Sequence, residues 1–218
     1  DFEIASVVHQ HFKDKGVGLL LQETVAAFRK SGRSLEVVLK SGKNLPADLV
    51  ILSIGVRPDV RLAREAGLKL GERGGIEVNQ YLQTSHPDIY AVGDAIEFPN
   101  PVSKYPALSF LAGPANKQGR ICANNIVEGN HVEYKGVIGT AIAKVFDLTV
   151  GTAGLSASLL DRYRIPFQEA IIHAGSHAGY YPGAIPMTIK INFSPGNGQL
   201  LGAQVVGYDG ADKRLEMM

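Results

Sequence analysis

The chain has 218 residues, 45% of them hydrophobic, and a formal net charge of +1. That length can bury a sizeable core in one or two domains. The near-zero charge, without a basic stripe interleaved with aromatics, argues against a nucleic-acid partner. No apolar run approaches the roughly 20 residues that a membrane span needs. One cysteine excludes an internal disulfide. With no signal peptide in view, this fits a reducing cytoplasm.

In chain order, Asp1 to Lys15 reads as a helix, because Phe2, Ala5, Val8 and Phe12 recur at helical spacing. Gly16 closes it, and His9 and His11 read as surface residues on different faces. Val17–Leu21, Val25–Arg29 and Leu35–Leu39 read as short strands, punctuated by Ser31-Gly32 and Ser41-Gly42. Leu49–Ile54 is continuously apolar, the pattern of a strand buried on both faces. Residues 1–56 therefore read as the second half of a nucleotide-binding domain without its phosphate loop.

Pro58 breaks this pattern. Val60–Ala66 reads as a short helix, Ile76–Val78 as a strand and Asn79–Asp88 as a polar connection. Ile89–Val92 reads as a short strand that ends in Gly93 and Asp94. A loop with Pro99, Pro101 and Pro106 follows, of the kind that lies on a surface near a ligand. A helix begins near Pro114, which suits a first turn, and Gly129-Asn130 ends it. From His131 the aliphatic alternation of Ile142–Phe146, Phe167–His173, Met187–Phe193 and Leu200–Val206 reads as an antiparallel sheet. Ser156 caps a helix over Ala157–Tyr163, and Asn197-Gly198 turns a hairpin. The fold class is α/β plus α+β.

The run Thr84–Asp94 carries the most chemistry. Gly93 lets a ligand or backbone approach closely, and Asp94 offers an acceptor-only carboxylate to hydroxyls. Open α/β sheets bind ligands beyond the carboxyl ends of their strands. The ordinary alternative is a Gly-Asp turn. The run resembles the second FAD motif of the two-dinucleotide-binding flavoproteins. Ala47–Asp59, Leu111–Arg120, Gly179–Ala184 and Gly210–Arg214 carry further resemblance. Together they point to the pyridine nucleotide-disulfide oxidoreductases, in the branch of coenzyme A-disulfide reductases, NADH oxidases and polysulfide reductases.

The resemblance implies remnants of FAD- and NAD(P)H-binding Rossmann-like domains, followed by an antiparallel-sheet dimerisation domain. Residues 1–56 would belong to the NAD(P)H domain, 57–130 to the FAD domain and 131–218 to the interface of a homodimer. The cofactors would be FAD and NAD(P)H. No G-x-G-x-x-G follows a strand, and the family's redox cysteine near the N-terminus is absent. The expectation is therefore an excised piece of a larger enzyme, inactive alone. That enzyme would reduce a small-molecule disulfide, persulfide or polysulfide. The alternatives are a piece of an NADH oxidase or peroxidase, and a non-catalytic dimerisation module.

Gly93 and Asp94 would contact the flavin's ribityl and phosphate region. Ala112, Gly113 and Ala115 would start a helix whose free N–H groups and positive dipole end face the flavin ring. An ordinary helix start at a domain seam is the other reading. Gly55 would admit the nicotinamide, or is a turn glycine. Tyr180 and Tyr181 are the catalytic candidates: the resemblance implies a tyrosine here that reaches the partner subunit's site. A phenol can donate a proton to a leaving thiolate, but Tyr-Tyr-Pro-Gly is equally a packed aromatic before a turn. Cys122 reads as a small core residue. His173 and His177 flank Gly175 at a strand end and make no metal site.

Overall fold

A computed structural model describes residues 1–32 and 34–218. The chain forms two compact units, one of Asp1–Val8 with Pro58–Met218 and one of His9–Arg57. Helix α1 (Phe2–Asp14) begins in the first unit and continues into the second.

In the His9–Arg57 unit, α1 ends as its glycine predicts. Gly16 takes φ +77°, and the N–H groups of Gly16 and Val17 bond the carbonyls of Lys13 and Phe12 at 2.9 Å. An antiparallel sheet follows, of β1 (Val25–Ser31), β2 (Ser34–Leu39) and β3 (Asn44–Ala47), in that order. Only β3 was not anticipated. Two expected strands are absent. Val17–Leu21 and Leu49–Ile54 are irregular, because a strand exists only through hydrogen bonds to a neighbour. Among the described residues neither segment has one. The second segment is not buried either: Ile51 is 80% and Ile54 88% exposed. His11 is buried, contrary to its surface reading.

The other unit opens with α2 (Arg61–Glu65). Strand β4 (Ile76–Glu77) pairs in parallel with β5 (Ile96–Pro99), which pairs antiparallel with β6 (Pro106–Ala107). Helix α3 (Ala112–Glu128) lies against this small sheet, and Val78, Leu82, Ile96, Ile121, Cys122 and Tyr134 form their common core. The expected strand Ile89–Val92 reduces to one bridge between Gln83 and Tyr90. Beside that bridge, Thr84 N–H donates to Ile89 O at 2.9 Å and Ala91 N–H to Leu82 O at 3.0 Å, a loop pairing rather than a ladder.

The rest is a five-stranded antiparallel sheet in the order β7-β8-β11-β10-β9. Its strands are β7 (Thr140–Val145), β8 (Leu148–Gly154), β9 (Gln168–Gly175), β10 (Pro186–Phe193) and β11 (Leu200–Gly207). Helix α4 (Ala157–Tyr163) follows β8, with Ser156 as its cap, and α5 (Ala211–Glu216) follows β11. Strand β8 escaped the aliphatic pattern because glycines interrupt it. At Gly151 a Cβ would come within 2.8 Å of Leu215 on α5, so the helix sits where a side chain would be.

Alternation divides this sheet. Met187, Ile189, Ala203 and Val205 pack with Ala211 and Leu215 of α5. From the intervening positions, Val206 packs with Ile4 of α1. Lys190, in the middle of β10, is 2% exposed and meets three carboxylates: Glu169 at 2.8 Å, Glu3 at 3.0 Å and Asp1 at 3.5 Å. Asp1 also accepts from the N–H groups of Ala157 and Ser158, at 3.0 and 3.3 Å, at the start of α4. The start of α1 is thus fixed to the sheet by charge as well as by apolar contact. Burial works to lower the Lys190 pKa, but the bonds from Glu169 and Glu3 outweigh it and hold the ammonium above its ordinary value. The Glu3 carboxyl is held below its ordinary value by a bond from its own backbone N–H and then by Lys190.

Removing the lysine leaves the buried Asp1 carboxylate without its cation, while Glu3 and Glu169 stay in reach of water. Lys190→Ala is expected to cost this unit about 1–3 kcal/mol in denaturant unfolding. The pH dependence follows from the two directions. The Glu3 contribution is complete above its ordinary value of 4.5 and is lost as pH falls through the lowered one. The Lys190 contribution is complete below 10.5 and is lost as pH rises through the raised value. The thermal unfolding temperature should therefore fall at both extremes of pH, and by less in the variant.

Candidate functional site

Gly93 and Asp94 do not close a strand. They open a short 3₁₀ turn, Gly93–Ala95, between the extended Val92 (φ −144°, ψ 167°) and β5. Asp94 therefore stands before a strand rather than beyond a strand's carboxyl end. Gly93 takes φ +82°, a conformation that L side chains resist, and no heavy atom lies within 4 Å of the place a Cβ would occupy. Asp94 is exposed, and among the described residues its carboxylate has no hydrogen-bond or ionic partner.

The turn is tied to α3 from inside. Gly93 N–H donates to Gln118 Oε1 at 2.6 Å, and Gln118 Nε2 donates to Tyr134 Oη at 2.9 Å. Gln118 and Tyr134 are 2% and 3% exposed. The helix itself starts as expected, with Pro114 in its first turn and Leu111 as an extended N-cap that offers no side-chain bond. Ala115 N–H reaches Leu111 O at 3.2 Å. Ala112 and Gly113 are exposed and Ala115 half-buried. A Cβ on Gly113 would meet no heavy atom within 4 Å. The N–H groups of Ala112 and Gly113 lie ahead of the intrahelical bonds, at the positive end of a 17-residue helix.

A cavity of about 390 Å³ lies beside this helix, lined among others by Phe98, Phe110, Leu111, Gln118 and Tyr134. Ser109, whose buried Oγ has no hydrogen-bond partner among the described residues, also lines it. None of the sequence-predicted site residues does.

The remaining candidates lie elsewhere in the chain. Gly55 belongs to the His9–Arg57 unit, is exposed, and takes φ +94° with open space around it. Tyr180 and Tyr181 sit in the loop between β9 and β10, 85% and 62% exposed, with ring centroids 5.1 Å apart. They share no hydrogen bond or cavity with the Gly93 turn among the described residues. Cys122 is buried in the α3 core, and burial pushes its thiol pKa up.

Sequence reasoning missed Gln118 and Tyr134. The signal was present: Gln118, Ile121, Cys122 and Asn125 form the buried stripe of α3, and an amide on an apolar stripe must be satisfied internally. Asn125 behaves in the same way. Its Nδ2 donates to the carbonyls of Tyr81 and Val132, and its Oδ1 accepts from the N–H groups of His131 and Val132. Glu97 was missed as well. Its buried carboxylate accepts from the N–H groups of Arg73 and Gly75, at 2.8 and 3.2 Å.

Residues 1–119 match the family model of the pyridine nucleotide-disulphide oxidoreductases. The chain belongs to this family. The structure of reduced Bacillus anthracis CoADR-RHD is 47% identical and superposes with a TM-score of 0.94, over 100% of this chain and 39% of that one. A NAD-dependent persulfide reductase from A. fulgidus is 35% identical, with a TM-score of 0.94 over 100% and 40% of the two chains. An NADH oxidase of Methanocaldococcus jannaschii is 34% identical over 218 residues, all of this chain and 48% of that protein. The chain thus spans less than half the length of these relatives. They are enzymes, and the family uses FAD and NAD(P)H.

Two outcomes follow from this geometry. Gly93→Ala should destabilise the unit by about 1–2 kcal/mol through backbone strain alone, since space is open around it. Chemical denaturation measures this. Cys122 should react with a thiol reagent at least roughly tenfold more slowly in the native chain than in denaturant.

Proposed function

We propose that this chain is the C-terminal part of an FAD-dependent NAD(P)H:disulfide oxidoreductase that reduces coenzyme A disulfide, a persulfide or a polysulfide. The observation that carries the reading is the Gly93–Asp94 turn. An unpartnered, exposed carboxylate stands on a turn hydrogen-bonded to α3, the helix whose start is uncapped. This donor set fits one side of a flavin dinucleotide. Asp94 would accept from the ribityl hydroxyls. The N–H groups of Ala112 and Gly113, with the dipole end of α3, would face the electron-rich side of the ring, and small residues through Ala115 keep the approach open. FAD, when bound, supplies the hydride acceptor and the electrons for thiol–disulfide chemistry.

The other residues take supporting roles. Residues 1–56 would belong to the NAD(P)H domain, in which Gly55 gives the nicotinamide room. Residues 57–130 would complete the FAD domain, and 131–218 would form the interface of a cytoplasmic homodimer. There Tyr180 or Tyr181 would donate a proton to the leaving thiolate in the partner subunit's site. Their exposure in the present chain supports this reading. Without the Gly-rich loops the isolated chain would neither hold FAD firmly nor turn over, and would serve as a dimerisation module. The NADH oxidase relative keeps a second reading open, in which the same hydride route ends on oxygen.

Asp94→Ala in the full-length flavoprotein should weaken FAD binding by about 10- to 150-fold, the equivalent of the roughly 1.5–3 kcal/mol of a charged hydrogen bond. Fluorescence titration measures it, and unchanged affinity would refute the assignment. Disulfide-dependent against oxygen-dependent NADH consumption separates the two readings. For the isolated chain, a colourless dimer in ultracentrifugation is the expected result, and a yellow protein that oxidises NADH the contrary one.

A further inference from the structure

We infer that Gln118 is the positioning residue of the Gly93–Asp94 turn, its buried amide setting where the Asp94 carboxylate stands; the inference rests on the flavin reading above. The first N–H groups of a helical turn have no partner within it. Gly93 N–H is such a group, at the head of the 3₁₀ turn. Gln118 Oε1 meets it at 2.6 Å from the middle of α3. Because Gly93 N–H can only donate, the amide has one productive orientation. Its oxygen faces Gly93 and its nitrogen faces Tyr134 Oη, 2.9 Å away.

Tyr134 is in turn held on both sides. Its backbone N–H donates to Gln80 O at 2.7 Å, and its ring lies tilted on Phe98 with centroids 4.9 Å apart. The chain of contacts therefore runs from the segment after α3, through Tyr134 and Gln118, to the turn. Both relay residues are almost fully buried, where losing one partner leaves the other unsatisfied in a poorly polarisable medium. Asp94 makes no bond of its own among the described residues, so its direction is inherited from this turn. Gln118 touches no proposed flavin contact except through Gly93.

The test pairs a cofactor-free readout with a binding one. Amide hydrogen exchange by NMR on the 218-residue chain reports the Gly93 N–H directly, with α3 interior amides as the control for intact folding. FAD titration of the full-length flavoprotein reports the consequence. Gln118→Leu should speed Gly93 exchange by about tenfold or more while the control amides hold, and should weaken FAD binding about as much as Asp94→Ala. Gln118→Glu should restore both, since a carboxylate accepts from Gly93 N–H and from the Tyr134 hydroxyl. If Gln118→Leu does not fold, Tyr134→Phe carries the test, since it keeps the ring on Phe98 and removes only the acceptor. It should give a smaller loss in the same two readouts.

Unchanged Gly93 exchange, or wild-type FAD affinity in Gln118→Leu beside a weakened Asp94→Ala, would overturn the inference and leave the flavin reading standing. Wild-type FAD affinity in Asp94→Ala would sink the flavin reading, and this inference with it.

Discussion

Helix α3 carries two buried amides, and the irregular chain around it takes its position from them. Asn125 satisfies four backbone groups, from Tyr81, His131 and Val132, at the far end of the helix. Gln118 satisfies Gly93 and Tyr134 nearer its start. A helix with an all-apolar stripe would pack as well, but it could not specify which loop conformation lies against it. A buried polar group is tolerated only where its partners are in place. The same bonds therefore select one arrangement of turns around a small sheet that has few ladder bonds of its own. The Gly93–Asp94 turn, the proposed flavin contact, belongs to that arrangement.

Elsewhere in the unit the packing is organised by charge. Lys190 would be an error in a sheet interior if it stood alone. Here it gathers Asp1, Glu3 and Glu169, and Asp1 goes on to bond the start of α4. The cluster ties the start of α1 to three elements more than 150 residues away, α4, β9 and β10. Such a cluster adds specificity more than net stability, because desolvating Lys190 and Asp1 offsets much of the attraction. Charges of opposite sign meet in one geometry, whereas Ile4, Leu148 and Val206 alone could slide.

The sequence exposed most of this wherever the structural signal is local. Helical spacing marked α1, Pro114 marked the start of α3, glycines marked the ends of both, and alternation marked β7, β9, β10 and β11. It failed where pairing depends on a distant partner. Ile89–Val92 and Leu49–Ile54 have the composition of strands, yet the first keeps a single bridge, to Gln83, and the second has no strand partner among the described residues. It also failed where glycine replaces an alternating side chain, as at Gly151 in β8. At the candidate site, Gly93, Asp94 and the α3 start were legible because turns and helix starts have local chemistry. Gln118, Tyr134 and Lys190 were not singled out, since periodicity scores a buried polar residue as an exception rather than as a partner.

The bare segment Leu49–Val56 has a consequence for handling the protein. Its apolar residues are uninterrupted by charge or proline from Leu49 to Val56, and its side chains are largely open to water. An apolar segment of this kind, in no ladder among the described residues, is a template for another copy of itself. Asp48 and Arg57 bracket it as gatekeepers, and they slow such stacking without preventing it. In the 218-residue chain this segment is therefore where intermolecular β-assembly would start.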